Sequence, residues 1–242
     1  MSNGSWHSRR QFLRVGTITG SGILLSGLAV STRAGDDPKS EQGSGHPPEE
    51  VSPAEDLMRE HGVLNRILLI YEECLRRLRG KASFEPSALG GAAKIVRTFV
   101  EDYHEKLEED HLFPRFEKAG KLVDLVKVLR EQHQVGRRLT DQVTQLATPA
   151  ALQDGQGAEK LALSLRQFIR MYRPHEARED TVLFPALRGL MPEKEYHDLG
   201  EQFEEQEHKL FGEHGFDDIV GKVAEFEKML GIHDLGQFTP KL

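Results

Sequence analysis

From position 52 onward, apolar residues recur along the chain with a helical period. Ser52-Pro53-Ala54-Glu55 combines a capping serine, proline at the first helical position and glutamate three residues after the cap, which predicts a helix start. Leu57, Leu64, Leu68, Tyr71, Leu75 and Leu78 follow; adding His61 completes an unbroken alternation of four- and three-residue steps, so His61 belongs to the buried seam. Gly80 is expected to close this helix and Pro86 to open a second, running to about Lys118 with Val96, Val100, His104 and Glu108 on its inner line. Gly120 separates it from a third, about 123–146, whose inner face carries Leu122, Val126, Leu129, His133, Gly136, Val143 and Leu146. Thr148 to Gly157, with Pro149, Gly155 and Gly157, reads as a loop. The fourth helix repeats the four-three spacing at Leu161, Leu165, Phe168, Tyr172, His175, Glu179 and Val182.

Strand-like alternation is absent. The fold class expected is therefore all-α: an up-down-up-down four-helix bundle over residues 53–190. After Met191-Pro192 comes a glutamate-rich helical segment with a thinner apolar stripe, then a short helix at about 217–230. This C-terminal extension, 191–242, is expected to pack across the outside of the bundle.

The N-terminus has a different character. Ser8 to Arg14 reads SRRQFLR, and an apolar, Gly/Ser-rich stretch runs from Val15 to Val30 before Thr32-Arg33-Ala34. This is the layout of a twin-arginine export signal over residues 1–34, too short and glycine-rich for a spanning helix. Export predicts a periplasmic or otherwise extracytoplasmic protein with no stable membrane span in its mature form. Residues 35–52, polar and rich in Pro and Gly, read as a disordered linker. Four of the 32 basic residues and none of the acids fall in the signal, leaving 28 basic against 39 acidic residues in the body, a net of −11. That charge repels phosphate backbones and argues against a nucleic-acid partner. The one cysteine, Cys74, rules out a disulfide framework or a Cys-based zinc cluster.

The chemistry lies in an internal repeat. His104 to Pro114 reads HEKLEEDHLFP and His175 to Pro185 reads HEAREDTVLFP, both H-E-x-x-E-(E/D)-x-x-L-F-P. Each copy follows a helix bearing a seam histidine, His61 or His133, so the chain is a duplicated helical hairpin with a pseudo-twofold relation between its halves. His and Glu four apart share one helix face, which turns His104/Glu108 and His175/Glu179 inward beside His61 and His133. Burying four imidazoles and two carboxylates in an apolar seam costs several kcal/mol per uncompensated group, and a pair of cations satisfies them. Two bridging carboxylates with two imidazoles on each metal leave positions for an oxo or hydroxo bridge and one small ligand. A donor set without thiolate points to two iron ions first, then manganese or zinc.

At these residues the chain resembles the hemerythrin-like HHE cation-binding domain family, over about Pro53 to Leu190. The resemblance implies a non-haem di-iron centre in a four-helix bundle, with His61, His104, His133 and His175 as terminal ligands and Glu108 and Glu179 as bridges. Two departures from the family's invertebrate oxygen carriers stand out. Arg137 occupies the place of a second histidine on the third helix, and the fourth-helix acid is Glu179, four residues after His175, rather than an aspartate five after. In this the chain is similar also to the iron–sulfur cluster repair proteins, but it lacks their cysteine-bearing extra domain.

Glu105 and Glu176, at equivalent places beside the ligand histidines, are candidates for extra coordination or for orienting a ring; Tyr103 and Tyr172 are candidate hydrogen-bond donors near the site. Glu109 and Asp180 are expected at the surface or just outside the ligands, and His111 at the bundle end. The Leu-Phe-Pro triplets are expected to close the bundle end, with proline limiting the helix. No residue is assigned a catalytic role. The leading function is binding or sensing of a small diatomic ligand, dioxygen or nitric oxide. Turnover of peroxide or another oxidant, iron handling, and a metal-free structural bundle are the alternatives.

Overall fold

The computed structural model describes residues 51–241. The expected export signal and nearly all of the linker lie outside the described residues. Every regular element described is helical. Helix α1 is Pro53–Gly80, and its Ser52 hydroxyl accepts from the Glu55 N–H at 3.2 Å, as the cap pattern predicts. It ends at Gly80, as expected, and the residue beyond, Lys81, takes the left-handed conformation (φ 53°) and returns its N–H to the Leu78 carbonyl at 3.3 Å. Helix α2 spans 86–119 and closes on left-handed Gly120 (φ 64°). Helix α3 is Val123–Leu146.

The segment read as a loop contains a one-turn helix, α4, Pro149–Gln153, capped by Thr148. Five residues are too few to display a period. Asp154 then caps α5, which spans 155–187, by accepting from the N–H groups of Gln156 and Gly157. Helices α1, α2, α3 and α5 form the antiparallel bundle, each packed against two neighbours around an apolar core. Helices α6 (Glu193–Phe211) and α7 (Gly215–Met229) lie across α1 and α2. They are fixed by the Arg66–Glu227 fork (2.8 and 2.6 Å), by Phe211 and Phe216 against Phe99, and by Phe226 on bare Gly91. Among the described residues no helix is long and apolar enough to cross a membrane.

Proline does not limit the helices at the Leu-Phe-Pro triplets. In both copies a π-helical turn precedes the proline, Glu108–Leu112 in α2 and Glu179–Leu183 in α5, and the chain continues as α-helix through Phe113–Ala119 and Phe184–Leu187. The wider turn closes with the Phe113 N–H on the Glu108 carbonyl and the Phe184 N–H on the Glu179 carbonyl, five residues back. Proline lacks the N–H that would bond four residues back, and the widened register absorbs that loss without a break. The extra residue also shifts the inward line. Leu183, not Val182, is fully buried after Glu179, and Leu112 takes the matching place after Glu108.

Candidate metal centre

All six residues of the repeat pattern meet inside the bundle at one level. His61 comes from α1, His104 and Glu108 from α2, His133 from α3, and His175 and Glu179 from α5, and none is more than 4% exposed. The ring nitrogens fall into two pairs. His61 and His104 bring their Nε2 atoms within 3.0 Å, and the His133 and His175 rings lie 5.1 Å apart between centroids. The carboxylates span the pairs. Glu108 Oε1 is 3.8 Å from His104 Nε2 and its Oε2 is 3.4 Å from His133 Nε2. Glu179 Oε2 lies 3.5 Å from His61 Nε2 and 3.0 Å from His175 Nε2.

Outside these six, each imidazole is held at Nδ1 by an oxygen acceptor. His61 donates to Asp180 (2.7 Å), His104 to Glu60 (2.8 Å), His133 to Glu109 (3.1 Å) and His175 to Gln132 (2.9 Å). These contacts fix the tautomer, placing the proton on Nδ1 and the bare Nε2 lone pair inward. Glu109 and Asp180 thus take the role of orienting acceptors, inside the range expected for them. Glu60 and Gln132 were not singled out from the sequence. Each immediately precedes a seam histidine, and that matched position was the available signal.

The donor set fits a pair of cations. Both oxygens of Glu108, both of Glu179 and the His133 Nε2 are buried without a hydrogen-bond partner. With Nδ1 protonated on both rings, the facing Nε2 atoms of His61 and His104 at 3.0 Å repel unless one takes up a second proton or a cation lies between them. Without a cation the electrostatics are strained. Burial and then the Glu179 charge push the Glu108 carboxyl well above its usual range, whereas Glu179, despite burial, is held well below it by His175 and His61. His61 reaches about 10, because the Asp180 and Glu179 contacts overcome its burial, while burial takes His133 down to about 4.

The remaining candidates form a rim around the donors. Tyr172 donates to Glu105 at 2.7 Å, and Glu105 also meets Arg137 at 2.9 Å. Glu176 accepts from Asn65 through one oxygen, and its other oxygen is buried without a partner. Burial raises Glu105 and Glu176 to about 8. Tyr103 reaches Glu60 at 3.2 Å, one step outside His104. His111 faces Gln206 and Phe203 of α6, away from the donors. A cleft of about 860 Å³ lined by Leu78, Phe84, Pro86, Pro149 and Ala162 contains none of these residues, and the six donors themselves are buried.

The comparisons agree with this geometry. A protein-family model, the hemerythrin HHE cation-binding domain, matches residues 52–187. Proteins described as uncharacterized from Mycobacterium tuberculosis and Mycobacterium bovis are 50% identical over 238 residues, covering 96% of this chain and 91% of theirs. The likeness therefore extends beyond the bundle into the C-terminal helices. No solved structure matches the chain. With more than half its length matched and the repeat's histidines and glutamates gathered at one level, the chain belongs to the hemerythrin HHE cation-binding domain family.

Proposed function

We propose that the chain is an exported non-haem di-iron protein that binds or senses a small diatomic ligand, dioxygen or nitric oxide. The observation that carries this is the set of four buried, unpartnered oxygens on Glu108 and Glu179, flanked by four inward Nε2 atoms. His61 and His104 would hold one ion, His133 and His175 the other, with Glu108 and Glu179 shared between them. Bound iron would supply redox-active positions at which a diatomic molecule can add. The chain's own part is to fix the imidazoles through their Nδ1 contacts and to exclude water. It also limits entry, since every donor is buried.

A second reading, turnover of peroxide or another oxidant, is favoured by one observation. Glu176 is raised to about 8 and keeps an unpartnered oxygen beside the donors, as a group that carries a proton at neutral pH does. The twin-arginine pattern at Arg9-Arg10 supports export, and cell fractionation of the expressed protein tests it.

The direct test is iron content together with the absorption spectrum, with and without dioxygen or nitric oxide. About two irons per chain and a reversible spectral change are expected, with His104→Ala losing both. Two irons without reversible change, but with sustained consumption of peroxide, would move the assignment to the second reading. A well-folded protein that takes up no metal would sink both.

A further inference from the structure

The pseudo-twofold that relates the two hairpins pairs the ligand residues and the acids beside them. His61 corresponds to His133, His104 to His175, Glu105 to Glu176, Glu108 to Glu179 and Glu109 to Asp180. The tyrosines break the match, Tyr103 corresponding to Pro174 and Tyr172 to Glu101, which is itself paired with Arg97. Two further breaks change the charge beside the ring nitrogens' acceptors. Glu60, which accepts from His104, corresponds to Gln132, which accepts from His175. Asn65, four residues after His61, corresponds to Arg137, four residues after His133.

Both differences act in the same direction. Around His61 and His104 the Nδ1 acceptors are two carboxylates, Asp180 and Glu60, and the rim group Asn65 is neutral. Around His133 and His175 they are one carboxylate, Glu109, and one amide, Gln132. Arg137 further offsets Glu109 and Glu105, at 2.8 and 2.9 Å. The first position is thus more negative than the second by one charge from each break. Glu60 touches His104 Nδ1 at 2.8 Å and is only 2% exposed, so bulk water screens its charge weakly, whereas Arg137, partly exposed, acts one step out, on the Glu109 that holds His133. Carboxylate acceptors also make imidazole a stronger donor than an amide does.

We propose that the two metal positions are unequal, and that a first divalent cation enters at His61 and His104 before the position at His133 and His175 fills. This rests on the two-metal reading above. Both positions share Glu108 and Glu179, so the preference comes from Glu60, Gln132, Asn65 and Arg137 rather than from the ligands themselves. Replacement of groups that orient metal ligands changes affinity by about 10–100-fold, and a preference of that order is expected between the positions.

The test uses purified metal-free protein given one equivalent of cobalt(II) without oxygen, crystallised, and measured by anomalous scattering at the cobalt edge. Cobalt concentrated at His61 and His104 in the wild type is the expected result. In E60Q/Q132E and in Arg137→Asn the occupancies should move toward equality, while two equivalents still fill both positions. Equal occupancy in the wild type, or a first ion at His133 and His175, overturns the inference and leaves the two-metal reading intact. A variant pair that binds two equivalents with the wild-type distribution also overturns it, by removing its cause. No cobalt at either position overturns the two-metal reading itself, and the inference with it.

Discussion

A buried carboxylate that loses a hydrogen-bond donor costs about 1–3 kcal/mol, and Glu105 avoids this through the Tyr172 hydroxyl at 2.7 Å. That hydroxyl reaches Glu105 only because position 136 has no side chain. A Cβ there would overlap the Tyr172 oxygen and come within 2.8 Å of its Cζ. Tyr172→Phe and Gly136→Ala should therefore each destabilise the protein by about 1–3 kcal/mol. If both act through the same hydroxyl, the double variant should cost clearly less than the sum, which urea unfolding of the three variants would check. The six inward donors are legible in the sequence because they recur at matched offsets in two copies of one motif. Glu60 and Gln132 are not, since a glutamate and a glutamine next to a helix histidine look like any solvated pair. Only the packing of the bundle shows that Glu60 of α1 accepts from His104 of α2 and Gln132 of α3 from His175 of α5.

At the level of elements, period is what made the bundle helices readable, and whatever breaks or lacks period escaped. The π-helical turns at Glu108–Leu112 and Glu179–Leu183 are built from ordinary helix formers, so only the hydrogen-bond register reveals them and the shift from Val182 to Leu183. The extension's packing across α1 and α2 agrees with the thin apolar stripe of α6, which needs only one face covered. Docking of α7 depends on a second bare backbone. The Phe226 ring sits on Gly91, with ring atoms 2.6 and 2.9 Å from where a Cβ would stand. Gly91→Leu is expected to push α7 off α2 and lower stability by about 1–3 kcal/mol. Protease cleavage within Gly215–Met229 should accelerate in that variant, and an unchanged digestion pattern would show that α7 docks by other contacts.

For the molecule as a whole, the metal-free chain should respond to pH with a definite sign. Glu101 is raised to about 7, mainly by burial, Glu105 and Glu176 to about 8, and His61 to about 10. A group whose pKa is raised by folding stabilises below its unfolded value and loses that contribution as pH passes its folded value. Glu109, lowered to about 2, acts oppositely but finishes titrating well below about pH 6.5. His133, lowered to about 4, is half titrated at about pH 6.5 in the unfolded chain, too little to offset four raised groups. The melting temperature of metal-free protein should therefore fall between about pH 6.5 and 8.5, and bound metal should reduce that fall. A metal-free curve flat or rising over this interval would contradict the assigned burial. The whole centre also crosses the halves of the molecule. His61 is oriented by Asp180 and His133 by Glu109, each from the opposite hairpin, so neither hairpin alone can assemble it. Two identical hairpins paired about a true twofold axis would complete such a centre as well, each lending its acid to the other. Such a pair is bound to keep both metal positions alike, because one sequence writes both. Glu60 opposite Gln132, and Asn65 opposite Arg137, are differences available only once the two hairpins share a single chain, and covalent fusion is what lets a symmetric vessel become directional.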